Sequence, residues 1–299
     1  MVGNTVPESQ AVGRPGRAPA GGALRRIGRL WRMYAALDLA FLTADLKLAC
    51  IYIGADMITG VAMVAGVLLL AERFAGLGPW SRLQVVFLLG YATTVSGVVN
   101  AFFGYNVLMI SRRIGRGQLD HTLIQPQPIA VALLTEGFMP FSGSAMLLPG
   151  AGMLTWATLT LGVPVTPGWA ALLAVNLLAS CAVVLSFAFL WGSLAFWAPR
   201  ATEEISTSAT TLIDQLKSFP LDGVGPLLLG ALMTAVPVGF VAWYPCRALL
   251  GIDPAPAALL GTPLAALLLG ACAAFCFRQG MRKYVRTGSQ RYSSFGHRG

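Results

Sequence analysis

Five acidic side chains lie within or beside long apolar stretches, where an ionised carboxylate is costly unless it has a partner or a function. They are Asp56, Glu136, Glu203, Glu204 and Asp214. Carboxylates in such places can bind a cation, carry a proton or line a polar path across a membrane. Asp56 and Glu136 are predicted roughly 12 and 10 Å along their helices from the same side, at about 1.5 Å per residue. The plainer alternative pairs each of them with an arginine at the membrane interface.

The other three carboxylates share one stretch with hydroxyl side chains. Glu203, Glu204 and Asp214 alternate with serines and threonines between residues 201 and 218. A helix of this composition cannot face lipid. It should therefore face a second copy of the protein or a water-filled path, or else lie outside the membrane, and the sequence leaves both alternatives open.

Motifs for catalysis on soluble substrates are missing from the sequence. It contains no GxxxxGK[ST] phosphate loop, no HExxH and no GxSxG, and its histidines are His121 and His297. Cys272 and Cys276 lie four residues apart without a histidine or carboxylate partner, which makes them poor metal ligands. The chain is therefore predicted to be no enzyme by itself and to bind no cofactor or metal.

Composition indicates an integral membrane protein. Of the 299 residues, 56% are hydrophobic and only 11% are charged, against roughly 25% charged residues in soluble domains. Apolar runs of about 20 residues recur, which is the length that crosses the hydrocarbon core as a helix. The net charge of +9 does not indicate nucleic acid, because the basic residues flank the apolar runs.

The sequence predicts an all-α fold with six transmembrane helices. Their limits are about 48–71, 83–110, within 129–161, 169–197, 201–218 and 257–277, and the third is interrupted by Pro140 and Pro149. The fifth is open, because hydropathy favours residues 221–244 instead. The prolines and glycines between residues 219 and 250 favour broken, re-entrant helices there over one straight span.

The segments outside the spans follow from composition and charge. Residues 1–23 are predicted to be a disordered tail, 24–47 an amphipathic elbow helix at the interface, 48–281 the transmembrane domain and 282–299 a C-terminal tail. Seventeen basic residues fall on the side of both termini and four on the other side. Because basic residues concentrate on the cytoplasmic side, both termini are predicted to be cytoplasmic.

A basic loop separates the second and third spans. Residues 112–128, RRIGRGQLDHTLIQPQP, contain Leu119 and Leu123 at helical spacing, with glycines before them and prolines after. This pattern predicts a short helix at the cytoplasmic surface, suited to docking into a groove on a partner. The alternative is a solvated loop whose arginines only set the topology.

Two stretches of the chain resemble a known family. The string formed by Gly117, Leu119, Asp120, Leu123 and Pro126 (GxLDxxLxxP) and the stretch 219–251 resemble segments of bacterial permeases of type-2 ATP-binding-cassette (ABC) exporters. With the span pattern, the resemblance covers most of the chain from about residue 30 onward. It implies the type-2 exporter permease fold, in the bacterial plasma membrane.

The same resemblance implies partners and roles. The loop 112–128 would be the coupling helix that contacts an ABC ATPase subunit, through Arg113 and Arg116 as well as the motif residues. Replacing Leu119 by Asp or Asp120 by Lys is then expected to abolish docking of the ATPase without unfolding the spans. ATP and Mg would be bound by the ATPase pair. A second permease protomer, identical or related, would complete a dimer. Stretch 219–250, with Pro220, Pro237, Tyr244 and Pro245, would form the outer gate.

Two classes of function remain at this point. The first is the membrane subunit of an ATP-driven exporter, whose expected substrates are small amphiphilic or cationic drug-like compounds, as in multidrug efflux. The second is an ion-coupled secondary transporter with Asp56 and Glu136 as proton carriers. The second predicts internal repeats, which the sequence does not show.

Overall fold

The computed structural model describes residues 20–73, 79–125, 127–253 and 258–288, and these parts of the chain are helices and turns. The helices in order are α1 Ala20–Ala44, α2 Leu46–Arg73, α3 Arg82–Leu108, α4 Ile110–Gly115, α5 Leu119–Leu123, α6 Ile129–Thr135, α7 Leu147–Thr160, α8 Pro167–Ser193, α9 Pro199–Leu216, α10 Pro226–Thr234, α11 Trp243–Leu249 and α12 Ala258–Thr287. The predictions for residues 1–19, Pro126 and 289–299 lie outside the described residues.

Four helices are long and apolar enough to cross a membrane. They contain Leu46–Leu69, Arg82–Gly104, Pro167–Phe196 and Ala258–Thr287. A fifth crossing is possible if the bent pair Pro226–Thr234 and Val238–Leu249 counts as one. The predicted all-helical membrane class is confirmed at this level, whereas the count of six spans stays a prediction.

Helix α3 forms the centre of the protein. Its side chains Val85, Phe87, Leu88, Leu89 and Tyr91 have no exposed surface. Helix α7 packs along it so closely that a Cβ atom on Gly90 would lie 2.5 Å from the backbone nitrogen of Leu154, and one on Gly150 would lie 2.6 Å from that of Thr94. Small residues at such crossings let two backbones approach each other, which adds dispersion contacts that larger side chains would prevent.

Helix α8 packs between α3 and α12. The Tyr91 hydroxyl and the Ser180 hydroxyl lie 2.9 Å apart in the α3–α8 interface. Asn176 donates from its Nδ2 to the carbonyl oxygen of Leu259 on α12, 3.3 Å away. That carbonyl is the one that Pro263, four residues later in α12, cannot bond, because proline has no N–H. The side chain of α8 thus supplies the hydrogen bond that the proline removes from α12.

The predicted third span is broken. Helix α6 ends at Thr135, α7 begins at Leu147, and the intervening residues, including Pro140, form turns. The break faces a kink at Gly104 in α3, where φ is +53°, and Met139 donates its N–H to the carbonyl of Ala101 at 2.8 Å. Irregular backbone is tolerated at membrane depth when protein covers it, as α3 does here.

The predicted elbow helix has slightly different limits. Helix α1 begins at Ala20 and ends at Ala44, and α2 begins at Leu46, where Asp45 accepts a hydrogen bond from the Leu48 N–H at 3.0 Å. Its exposed and half-buried residues alternate at helical spacing, as in an amphipathic helix. Its function as an elbow stays a prediction.

Candidate functional site

The loop between the second and third spans folds into two short helices against the body of the protein. Helix α4 ends at Gly115, Gly117 turns the chain with φ at +70°, and α5 follows at Leu119. A positive φ is strained for side chains other than glycine, which explains why the motif has glycine there. The predicted short helix is therefore present, as a five-residue helix, Leu119–Leu123.

Much of the motif faces inward. Leu119 has no exposed surface and packs in a cluster with Ile114, Leu133, Phe196 and Tyr284. Asp120 accepts a hydrogen bond from the Tyr284 hydroxyl of α12 at 2.7 Å. The expectation that replacing Leu119 by Asp leaves the fold intact therefore meets a physical objection, because an aspartate there would be buried without a partner.

Arg113 also faces inward. Its Nη2 lies 2.5 Å from Oε2 of Glu136 and donates to the Thr122 hydroxyl at 3.3 Å. Burial and the Glu136 carboxylate raise the pKa of Tyr34 on α1, and the Arg113 guanidinium opposes part of that rise. The loop, the end of α6 and α1 therefore meet at this ion pair.

The outward surface of the loop is small and apolar at its tip. Ile124 is 81% exposed and Leu123 is 42% exposed, and Arg116 and His121 beside them are also exposed. This surface can insert two apolar side chains into a groove on a partner while its basic residues meet acidic groups. By contrast, the inward contacts of Leu119, Asp120 and Arg113 fix the position of the tip against the body of the protein.

The loop is also tied to the polar helix α9. Arg112 Nε donates to Oε1 of Glu203 at 2.8 Å. Of the other acidic residues in α9, Glu204 is exposed, and Asp214 lies 2.5 Å from Lys217. The buried face of α9 comprises Thr202, Ser206 and Ile213, which leaves Glu204, Ser208 and Thr211 on the opposite side.

A cavity of about 260 Å³ lies between α2, α3, α8 and α9. Its polar lining includes Thr59, Ser96, Asn100, Thr210, Asp214 and Lys217. Hydroxyl, amide and charged groups at this position can hydrogen-bond a polar solute that crosses the bundle. Lys217 lines this cavity beside its partner Asp214.

The carboxylates predicted for the translocation path are not gathered at one place. Asp214 lines the cavity, Glu203 pairs with Arg112, and Glu136 pairs with Arg113. Asp56 lies on α2, and its side chain is outside the described residues. Glu136 thus has the arginine partner that the plainer alternative predicted. Among the described residues no group of three metal-binding side chains occurs.

The predicted outer gate is a bent pair of helices. Helix α10 and the segment Val238–Leu249 meet at 72°, and Pro237 stands at the bend. Pro220 precedes α10, Pro245 lies in the first turn of α11, and Tyr244 packs so closely on α12 that a Cβ on Gly261 would lie 2.3 Å from its ring.

A largely buried carboxylate that the sequence analysis did not single out holds this segment. Asp222 accepts hydrogen bonds from the indole N–H groups of Trp80 and Trp243, the latter at 2.7 Å, and pairs with Arg247. The Arg247 guanidinium also lies 5.2 Å from the centre of the Trp243 ring. An isolated acid within an apolar, proline-rich stretch was the sequence signal for this cluster.

The comparison with known protein families decides the classification. Residues 57–288 match the ABC-2 family transporter protein, which is well over half of the chain. The chain belongs to the ABC-2 transporter family. The matched range includes the loop 112–128, the cavity and the bent segment 219–250. No curated protein and no solved structure matches the chain.

Membership agrees with the chemistry of the sequence. An ABC-2 permease is a multi-pass membrane component and not itself an ATPase, and the family implies association with an ABC ATPase. This fits a chain whose sequence contains no phosphate loop.

Proposed function

We propose that this protein is the membrane-spanning subunit of an ATP-driven exporter and that the loop 112–128 docks on a separate ABC ATPase. The observation that carries the proposal is the division of the loop into two surfaces. Leu119, Asp120 and Arg113 are bound by the body of the protein, whereas Leu123 and Ile124 project outward.

This arrangement suits the transmission of force. A docked ATPase would bind the exposed tip, and three polar contacts between the loop and the body of the protein would transmit its movement to separate helices. Asp120 contacts α12 through a hydrogen bond from Tyr284. Arg112 contacts α9 through its ion pair with Glu203, and Arg113 contacts the end of α6 through its ion pair with Glu136. Closure of two ATPases on ATP would then tilt α9 and α12 together.

The polar surface of α9 supports a paired arrangement. Glu204, Ser208 and Thr211 are exposed at helical spacing and would be poorly solvated by lipid. A second protomer, identical or related, would cover this face and enclose the polar cavity between α2, α3 and α9. The substrate would enter from the cytoplasm and leave past the bent segment 219–250.

The lining of the cavity bears on the substrate. Its one charged pair, Asp214 and Lys217, has no net charge, and the other polar groups named above are hydroxyls and an amide. These groups favour a small compound with hydrogen-bonding groups. Amphiphilic and cationic compounds, including drugs, are also proposed as substrates, because the complete translocation path would be formed only in the dimer.

The bacterial plasma membrane is the proposed location, with both termini in the cytoplasm. This orientation places the coupling loop and the C-terminal end of α12 on the side where ATP is available. It also follows the distribution of basic residues, which are concentrated on that side.

The test is co-purification with the ATPase encoded in the same cell. The chain is tagged, extracted in mild detergent and examined by mass spectrometry and an ATP hydrolysis assay. Ile124→Asp is expected to remove the ATPase from the complex, because it places a charge on the docking surface, whereas the matched control Ile124→Leu keeps it. An ATPase that stays bound and equally active in Ile124→Asp would contradict docking through this tip.

The same experiment separates the second candidate function. A homo-oligomer without an ATPase would favour ion-coupled transport through Asp56 and Glu136. The ion pair of Glu136 with Arg113 speaks against that role, because the guanidinium already occupies the carboxylate that a transported ion would have to reach.

A further inference from the structure

Helix α1 presents three different surfaces along its length. The first faces the protein. The Trp31 ring stacks on Phe138, with centroids 5.3 Å apart, and meets the edge of Phe102 at 5.7 Å. Further along, Asp38 is 7% exposed and accepts the N–H groups of Phe141 and Ser142 at 2.9 and 3.1 Å. This surface therefore holds the irregular segment that breaks the third span.

The second surface is a stripe of arginines. Arg25, Arg29 and Arg32 are spaced four and three residues apart, which places them on one side of the helix, and all three are exposed. Among the described residues no carboxylate pairs with any of them. The only acidic residue of α1, Asp38, points into the protein. The stripe is thus a concentration of positive charge that no carboxylate in the described part of the chain compensates.

The third surface is apolar and adjoins the arginines. Met33, Leu37 and Phe41 are 49%, 58% and 54% exposed and lie four residues apart. At 100° per residue this stripe is offset from both the arginine stripe and the protein-facing side. An apolar stripe beside a basic stripe is the pattern of a helix that lies in the plane of a membrane surface.

We propose that α1 binds anionic phospholipids of the adjacent leaflet, with Arg25, Arg29 and Arg32 at the phosphate groups and Met33, Leu37 and Phe41 among the acyl chains. Anionic lipid is the one occupant that would both compensate the charge of the arginine stripe and remove the apolar stripe from water. An acidic protein or a nucleic acid would meet the arginines but leave the apolar stripe in water. A zwitterionic leaflet would cover the apolar stripe but leave the positive charge without compensation.

Lipid binding at α1 also acts on the third span. The helix that meets the lipid is the helix whose Trp31 and Asp38 hold residues 138–142. Glu136, at the start of the same break, holds Arg113 of the coupling loop. Fixing α1 on an anionic surface therefore stabilises the ordered form of the break and, through it, the position of the coupling loop.

The experiment uses the purified full chain in nonionic detergent and needs no ATPase. Pyrene-labelled phosphatidylglycerol or phosphatidylcholine is titrated in, and binding is followed by energy transfer from tryptophan. The wild-type chain is expected to prefer phosphatidylglycerol. The variant Arg25→Gln/Arg29→Gln/Arg32→Gln is expected to lose that preference by about fivefold per arginine, on the order of a hundredfold in all.

A charge-matched control distinguishes the stripe from general attraction. Arg278→Gln/Arg282→Gln/Arg286→Gln removes the same three charges from the end of α12 and is expected to keep most of the preference. Equal binding of the two lipids by the wild type, or an equal loss in the control variant, would overturn the proposal.

The link to the third span has its own readout. In nanodiscs, hydrogen exchange of the Phe141 and Ser142 amides is expected to be slower with phosphatidylglycerol than with phosphatidylcholine. Asp38→Asn should bind phosphatidylglycerol as well as the wild type but lose this lipid-dependent protection. Protection that persists in Asp38→Asn, or that is absent from the wild type, would refute the link. Failure of ATPase docking would leave both readouts unchanged.

Discussion

Arg113 Nη2 lies 2.5 Å from a carboxylate oxygen of Glu136, and the two side chains are only 12% and 16% exposed. The pair joins the loop 112–128 to the end of α6, and Arg113 Nη1 is buried without a further partner. A guanidinium in this position depends on one carboxylate for its charge compensation. The loop is therefore sensitive to any change in Glu136.

Replacing Glu136 by Gln should destabilise the protein by about 2–4 kcal/mol, because it leaves the Arg113 charge buried without a counter-charge. Thermal unfolding of the purified chain measures this loss. The double variant Arg113→Gln/Glu136→Gln is expected to recover part of it, since neither charge remains. A Glu136→Gln variant with normal stability but no transport would instead support a proton-carrying role.

Alanine substitution should reduce the stability of the protein strongly at Leu119 and hardly at Ile124, although both residues lie in the same loop. Leu119→Ala removes a fully buried side chain and should lower the free energy of unfolding by about 2–4 kcal/mol. Ile124→Ala, at an 81% exposed position, should change it by less than about 0.5 kcal/mol while weakening co-purification of the ATPase. Comparable destabilisation by both would contradict the division of the loop into a buried and an exposed surface.

Asn176 and Pro263 should be energetically coupled across the α8–α12 interface. In the wild type, Asn176 bonds the Leu259 carbonyl that Pro263 leaves without its helical partner. In a Pro263→Ala background that carbonyl regains the backbone N–H of residue 263, so Asn176→Leu should cost about 1 kcal/mol less than in the wild type. A double-mutant cycle of unfolding free energies measures this difference, and independent effects of the two substitutions would exclude the coupling.

The Asp222 cluster should control access to the gate segment. Asp222→Asn removes the charge that pairs with Arg247 and weakens the hydrogen bonds from Trp80 and Trp243. Cys246, which is fully buried beside this cluster in α11, should then react faster with a membrane-permeable maleimide, as mapped by peptide mass spectrometry. Cys181, 5% exposed in α8, is the internal control and should keep its rate. An unchanged rate at Cys246 would show that the cluster does not hold the gate closed.

The outcome at the coupling loop shows how far residue types and spacing lead. Glycine before and proline after Leu119 predicted a short helix, and α5 is there. The same pattern could not tell which motif residues face outward, because Leu119 and Leu123 are both apolar and one turn apart. Only the packing of α12 and the 194–196 turn against the loop buries Leu119 and leaves Leu123 half exposed.

The carboxylates give a second example. Their cost inside an apolar chain marked Glu136, Glu203 and Asp214 as residues that need a partner or a function, and each has a basic partner. The partners of Glu136 and Glu203 are 23 and 91 residues away in the chain, so spacing could not identify them. Asp222 shows the same limit, because its partners Trp80, Trp243 and Arg247 are 142, 21 and 25 residues away in the chain.

By itself, the sequence determined the membrane class, the helical content, the four long apolar helices, the broken character of residues 219–250 and the position of the short helix Leu119–Leu123. These features depend on local composition, since lipid cannot hydrogen-bond the backbone and a helix satisfies its backbone groups within one segment of the chain. The tertiary structure alone decided the packing of the broken third span against Gly104, the ion pairs that hold the loop, and the cavity beside α9. These depend on contacts between residues far apart in the chain, whose free energy no local pattern records.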